Sequence, residues 1–120
     1  MDKIYLKDNG YLCVKGIDSC IIKVKQNKPL YSINGHLSHM APEMAICKGY
    51  SYEADIWSLG VCIVEMLTGS SPFASINIKS TMENILLNES MFIHNLPEFI
   101  NKIFIKNPKN RMTINELKND

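Results

Sequence analysis

The chain's 120 residues are 46% apolar, and 13 Lys and Arg against 12 Asp and Glu leave a net charge of +1. That length holds one domain with a real core rather than two. The balanced charge gives no basis for binding nucleic acid or an anionic membrane, and the longest apolar run, about twelve residues, falls short of the roughly twenty that span a bilayer.

In chain order, Ile4 to Leu6 and Tyr11 to Val14 are short apolar runs on either side of Asp8-Asn9-Gly10. Asn-Gly between apolar runs predicts a small antiparallel hairpin. From Asp18 to Met40 no period is sustained, although "CIIKVK" predicts a brief strand, and a segment this long is expected to be mobile or functional. Pro42 suits a first helical turn and Gly49 a stop, so "APEMAICKG" predicts a short helix. The strongest helix runs from Ser51 or Tyr52 to Thr68, closed by Gly69 and Pro72.

Between Ile56 and Leu67 that helix is apolar nearly all round, yet Asp55 opens it and Glu65 sits near its end. Burying a carboxylate without a partner costs several kcal/mol, so partners are expected. Further on, Ile78, Met82, Ile85 and Leu86 follow helical spacing over Ile78 to Leu87. Asn95 is placed to cap a helix whose stripe is Leu96, Phe99, Ile100, Ile103 and Phe104, with Pro97 near its first turn. Thr113 and Glu116 fit the capping box of a last helix. The expected fold is mainly α, with a short N-terminal β-hairpin.

Four cysteines, Cys13, Cys20, Cys47 and Cys62, form no C-x-x-C pair, and the start Met-Asp-Lys is no secretory leader. A reduced, cytoplasmic setting follows. Each reads as a small apolar residue rather than a nucleophile.

Read in order, "MAPE" (Met40 to Glu43), "DIWSLGV" (Asp55 to Val61), "LTGSSPF" (Leu67 to Phe73) and "NPKNRMT" (Asn107 to Thr113) resemble the C-terminal lobe of eukaryotic protein kinases. One such motif is weak, but four in order and spacing are specific. The resemblance covers Lys3 to the end and implies a partial kinase domain over residues 1–120, without the N-terminal lobe or catalytic loop. It implies that the Asp55 helix is the buried central helix, with Asp55 accepting hydrogen bonds from backbone N–H groups of the catalytic loop. It pairs Glu43 with Arg111 and gives Trp57 and Gly60 structural roles. Without the catalytic loop and the helix before it, the apolar side of Val61, Ile63 and Val64 is expected to lack cover. Weak solubility or an obligate partner follows, either a separate protein or the missing lobe.

Glu65 matches an acid that lies near the substrate arginine in the branch preferring basic substrates, while the residues alone equally fit a solvated helix edge. That branch, the cyclic-nucleotide-regulated and related Ser/Thr kinases, is the nearest: its Gly-Thr-Pro-Glu-Tyr run reads "GHLSHMAPE" here, keeping Gly35 alone. Ser32 stands where the branch carries an activating phosphothreonine. The only arginine, Arg111, is already assigned, so Ser32 reads as a solvated loop serine.

Phosphoryl transfer needs a Gly-rich cover, a lysine on the phosphates, a positioned Asp, and an Asn and Asp on Mg²⁺. The first three are absent from these 120 residues. Aligned on the family pattern, Lys3 replaces the Mg²⁺-binding Asn and Gly16 the Asp. An ammonium has no lone pair for a metal, and glycine has no side chain. Asp18 lies two residues late and needs a backbone bulge to reach the metal. His36 and His39 lack a third ligand and read as loop histidines. The resemblance thus implies a parent family using ATP and Mg²⁺, and no cofactor for this chain. Two functions remain open: a non-catalytic binding or scaffold module, and a cut piece of an active Ser/Thr kinase encoded further upstream.

Overall fold

The computed structural model describes residues 4–15, 36–87 and 95–120, and these are mainly helical with one two-stranded sheet. Strands β1 (Ile4–Leu6) and β2 (Leu12–Val14) pair antiparallel, with Ile4 opposite Val14 and Leu6 opposite Leu12. The turn is closed by Lys7 N–H donating to the Tyr11 carbonyl at 2.8 Å, and Gly10 takes the positive φ of 81° it requires. The hairpin read from Asn-Gly is therefore present. The "CIIKVK" strand lies outside the described residues.

Next come a 3₁₀ turn, Leu37–His39, and helix α1, Pro42–Ala45. Pro42 starts α1 as expected, but the helix stops before Gly49. Cys47 has φ of 54° and its N–H bonds the Met44 carbonyl at 3.1 Å, while Lys48 N–H reaches the Glu43 carbonyl at 3.0 Å. That pair of bonds is a Schellman end with cysteine at the left-handed position, a conformation that costs a residue with Cβ about 1–2 kcal/mol.

Helix α2, Glu53–Thr68, ends at Gly69, whose φ of 79° turns its N–H onto the Glu65 carbonyl at 2.8 Å. Helix α3 is Ile78–Leu87, as its spacing predicts. Helix α4, Phe99–Ile103, starts later than the cap read at Asn95, because Glu98 is its N-cap. After a 3₁₀ turn, Pro108–Asn110, helix α5, Ile114–Asn119, opens with the predicted capping box. Thr113 N–H donates to Glu116 Oε2 at 2.7 Å and Thr113 Oγ1 accepts from Glu116 N–H at 3.3 Å. The Thr113 N–H, together with the Thr113 hydroxyl donating to Glu116 Oε2 at 2.8 Å, holds the Glu116 carboxyl below its ordinary range.

Helix α2 is the spine, and its two buried sides serve two clusters. Ala54, Trp57 and Val61 pack with Met40, Ala41, Met44, Phe73 and Ile85. Ile56 and Val64 pack with Ile100, Ile103 and Met112, and Phe104 touches both clusters. The expectation that Val61 and Val64 lack cover is overturned: they are 0% and 2% exposed, because α4 and the segment before α1 lie over them. Ile63 is half-buried against the second cluster. The helix is nevertheless not buried all round. Asp55, Leu59, Cys62 and Met66 form one stripe at helical spacing on its far side, with Asp55 and Met66 exposed and Leu59 and Cys62 half-buried.

Gly60 lets α4 approach. A Cβ there would overlap the Ile103 side chain and sit 3.2 Å from Phe104. Gly60→Ala is expected to lower stability by about 1–3 kcal/mol through overpacking, read as a shift in the denaturant midpoint; a variant as stable as the parent would show that α4 has room to move.

Candidate functional site

Glu43 and Arg111 meet as the resemblance implies. Glu43 lies in α1 because Pro42 begins that helix, and Arg111 leaves the turn that Asn107 caps by accepting from Lys109 N–H at 3.1 Å. The guanidinium donates from Nη1 to Glu43 Oε1 at 2.7 Å and from Nη2 to Oε2 at 2.9 Å, a two-pronged pair with residues 5% and 3% exposed. Its remaining donors go to backbone carbonyls: Nη1 to Glu53 at 2.7 Å, Nη2 to Lys106 at 3.2 Å and Nε to Ile105 at 3.0 Å. A buried charge is tolerable only when paired and fully hydrogen-bonded, and Arg111 is both. The cation also lies over Trp57, 5.1 Å from the ring centroid. With every donor used, this centre holds structure and performs no chemistry.

Asp55 is exposed on the open stripe of α2, and its carboxylate has no hydrogen-bond partner among the described residues; the resemblance offers it one only in the catalytic loop, which these 120 residues do not contain. Desolvation by its neighbours raises its carboxyl above the ordinary 3.8. Solvent on its outer side screens that effect, so the stability at stake is small.

Glu65 has acquired a partner that the sequence did not disclose. Its Oε2 lies 3.3 Å from His39 Nε2, with side chains 27% and 18% exposed. On the far side of the ring, Ser38 Oγ lies 3.1 Å from Nδ1. Ser58 Oγ, on α2, donates to the His39 carbonyl at 2.7 Å and so fixes this turn against the helix. The sequence offered His36 and His39 as a pair, but their ring centroids stand 6.3 Å apart, and His39 belongs with Glu65 instead. A contact across 26 positions leaves no local periodic signal.

Lys3, Gly16, Asp18 and Ser32 lie outside the described residues. Among those described, no three His, Cys, Asp or Glu side chains gather as metal ligands, and no helix is long and apolar enough to cross a membrane. Cys13, Cys47 and Cys62 are free thiols, and burial raises the Cys62 thiol above its usual range. Cys47 is exposed, against the expectation of a buried apolar residue, because it occupies the turn that ends α1.

Two comparisons with known proteins bear on this arrangement. The protein kinase domain family matches residues 6–120. Ribosomal protein S6 kinase 2 alpha of Xenopus laevis is 35% identical over 115 residues, and ribosomal protein S6 kinase alpha-1 of Homo sapiens is 34% identical over 115. Each match covers 92% of this chain but 16% of the relative, so the chain spans about a sixth of the length of these relatives.

Arg111→Ala is expected to destabilise the fold by about 3–5 kcal/mol, because it strands a buried Glu43 carboxylate; a melting midpoint shifted no further than by an exposed substitution would break the assignment. For Asp55 the sign runs the other way. A carboxyl raised in the fold costs stability as pH climbs from the unfolded value, near 3.8, through the folded one. Asp55→Asn is therefore expected to match the parent at lower pH and to be slightly more stable at neutral pH, as thermal melts across that range would show.

Proposed function

The chain belongs to the protein kinase family, and from that premise we propose that it is a kinase-derived binding module with no phosphotransfer of its own. The observation that carries this reading is the pair of residues at the metal positions, Lys3 and Gly16. Neither side chain fits Mg²⁺, since one is a cation and the other is a hydrogen atom. No step of phosphoryl transfer is therefore routed through this chain. The residues that hold the lobe together are kept, with Glu43 and Arg111 paired and Trp57 and Gly60 at close-packed positions. A lobe packed around its ion pair and without metal ligands is what a non-catalytic module requires.

The partner in this reading is a protein surface, either a separate chain or a kinase N-terminal lobe, and neither nucleic acid nor membrane. It lies against the open stripe of α2, where Met66 is 54% exposed and follows the half-buried Leu59 and Cys62. Apolar side chains displayed contiguously at helical spacing favour such a contact. Free thiols at Cys13, Cys47 and Cys62 suit a cytoplasmic setting. The retained Gly35 supports reading the chain with the branch of cyclic-nucleotide-regulated and related Ser/Thr kinases.

A second reading is favoured by the relatives, which are named as kinases and are much longer than the match. In it the chain is part of an active Ser/Thr kinase using ATP and Mg²⁺, with the glycine-rich cover, the lysine and the catalytic Asp encoded upstream. An in-frame His-Arg-Asp and Val-Ala-x-Lys before Met1 in the coding sequence would favour it, and stop codons there would remove it. For the chain itself, a thermal-shift titration with Mg-ATP is expected to leave the melting temperature unmoved, since a ligand stabilises only a fold that has a site for it. A saturable rise would overturn the module reading.

A further inference from the structure

The Ser38, His39 and Glu65 side chains stand in line, and their order has chemical consequences beyond anchoring a turn. A carboxylate can only accept, so Glu65 Oε2 at 3.3 Å takes the hydrogen of His39 Nε2. The neutral ring then carries its lone pair on Nδ1, where Ser38 Oγ stands at 3.1 Å as the donor. Nucleophile, base and orienting acid within hydrogen-bond reach are the signature of an activated hydroxyl. The turn bearing Ser38 and His39 is held to α2 by the 2.7 Å bond from Ser58 to the His39 carbonyl, so the base is fixed against the helix that carries Glu65. Among the described residues, two further titratable groups stand nearby: His36, its ring centroid 6.3 Å from that of His39, and Cys62, whose thiol feels the charge of Glu65.

We propose that Ser38 is a base-activated nucleophile, modified by electrophilic acyl or phosphonyl donors whose leaving group departs as an anion. With a fluorophosphonate, the Ser38 Oγ–P bond forms and the P–F bond breaks. Fluoride leaves with the electron pair, and the hydroxyl proton passes to His39 Nδ1. The imidazolium so formed is stabilised through Nε2–H by the Glu65 carboxylate. The donor brings a leaving group that departs as an anion, as fluoride does, and needs no proton from the site. The reaction is a single modification, and it is independent of any phosphotransfer by the kinase fold.

The test uses the full chain and an alkyl fluorophosphonate, with the adduct located by peptide mass spectrometry. The expected result is an adduct on Ser38 and none on the exposed Ser70. His39→Gln is expected to slow the modification by on the order of a hundredfold, the low end of what a positioned base contributes. Glu65→Gln is the second variant: acting through the same ring, it should slow the reaction by no more than His39→Gln does and shift the His39 ring ¹⁵N resonances away from the Nε2–H tautomer, with the thermal melt as a control for folding. No adduct on Ser38, labelling of Ser70 to the same extent, or an unchanged rate in a folded His39→Gln or Glu65→Gln chain would overturn the proposal.

Discussion

Arg111 and Glu43 stand 68 positions apart and meet in a site from which water is almost excluded. Two opposite charges gain little from such a place unless each remaining hydrogen-bonding group is also served. The chain meets that condition by bending backbone toward the guanidinium. The carbonyls of Ile105 and Lys106, together with the first residue of α2, converge on it. The pair therefore sets where three separated segments lie, and a defect in any of them exposes a costly charge. The 3₁₀ turn before Arg111 and the proline that starts α1 have a shared purpose in this light: each presents one half of the ion pair at a fixed angle.

Around that centre α2 divides the interior in two. One cluster gathers the segment before α1 and the aromatic rings, and the other gathers α4 and Met112. Phe104 joins them, edge-on to both Trp57 and Phe73 at centroid distances of 5.1 and 5.2 Å. The third side of α2 is left to solvent, and the side chains there are apolar apart from Asp55. A helix with this composition is legible as interior, yet which of its sides is filled depends on what else packs there.

That distinction explains what the sequence could and could not convey. Signals confined to a few neighbouring residues were readable: Asn9-Gly10 for the hairpin, Gly69 for the end of α2, Thr113 with Glu116 for the start of α5. The Glu43–Arg111 contact was readable only through the resemblance of "MAPE" and "NPKNRMT" to a family, since nothing local joins the two. Where a feature rests on competition between packing partners, reading failed. Val61 and Val64, expected to lie bare, are covered by α4 and the segment before α1. The end of α1 was misplaced because a glycine two residues on was the more favourable candidate for a left-handed turn than Cys47. His39 and Glu65 were each noticed for other reasons, and only the fold of the turn onto α2 brings them together.

The chain holds one tryptophan, and it is 1% exposed, stacked on Phe73 and faced by the Arg111 guanidinium. Its indole is thus an optical gauge of the centre. Emission from a dry, cation-faced ring lies toward the blue, and loosening of the arginine admits solvent dipoles that pull it red. No dye or label is needed to watch the core open.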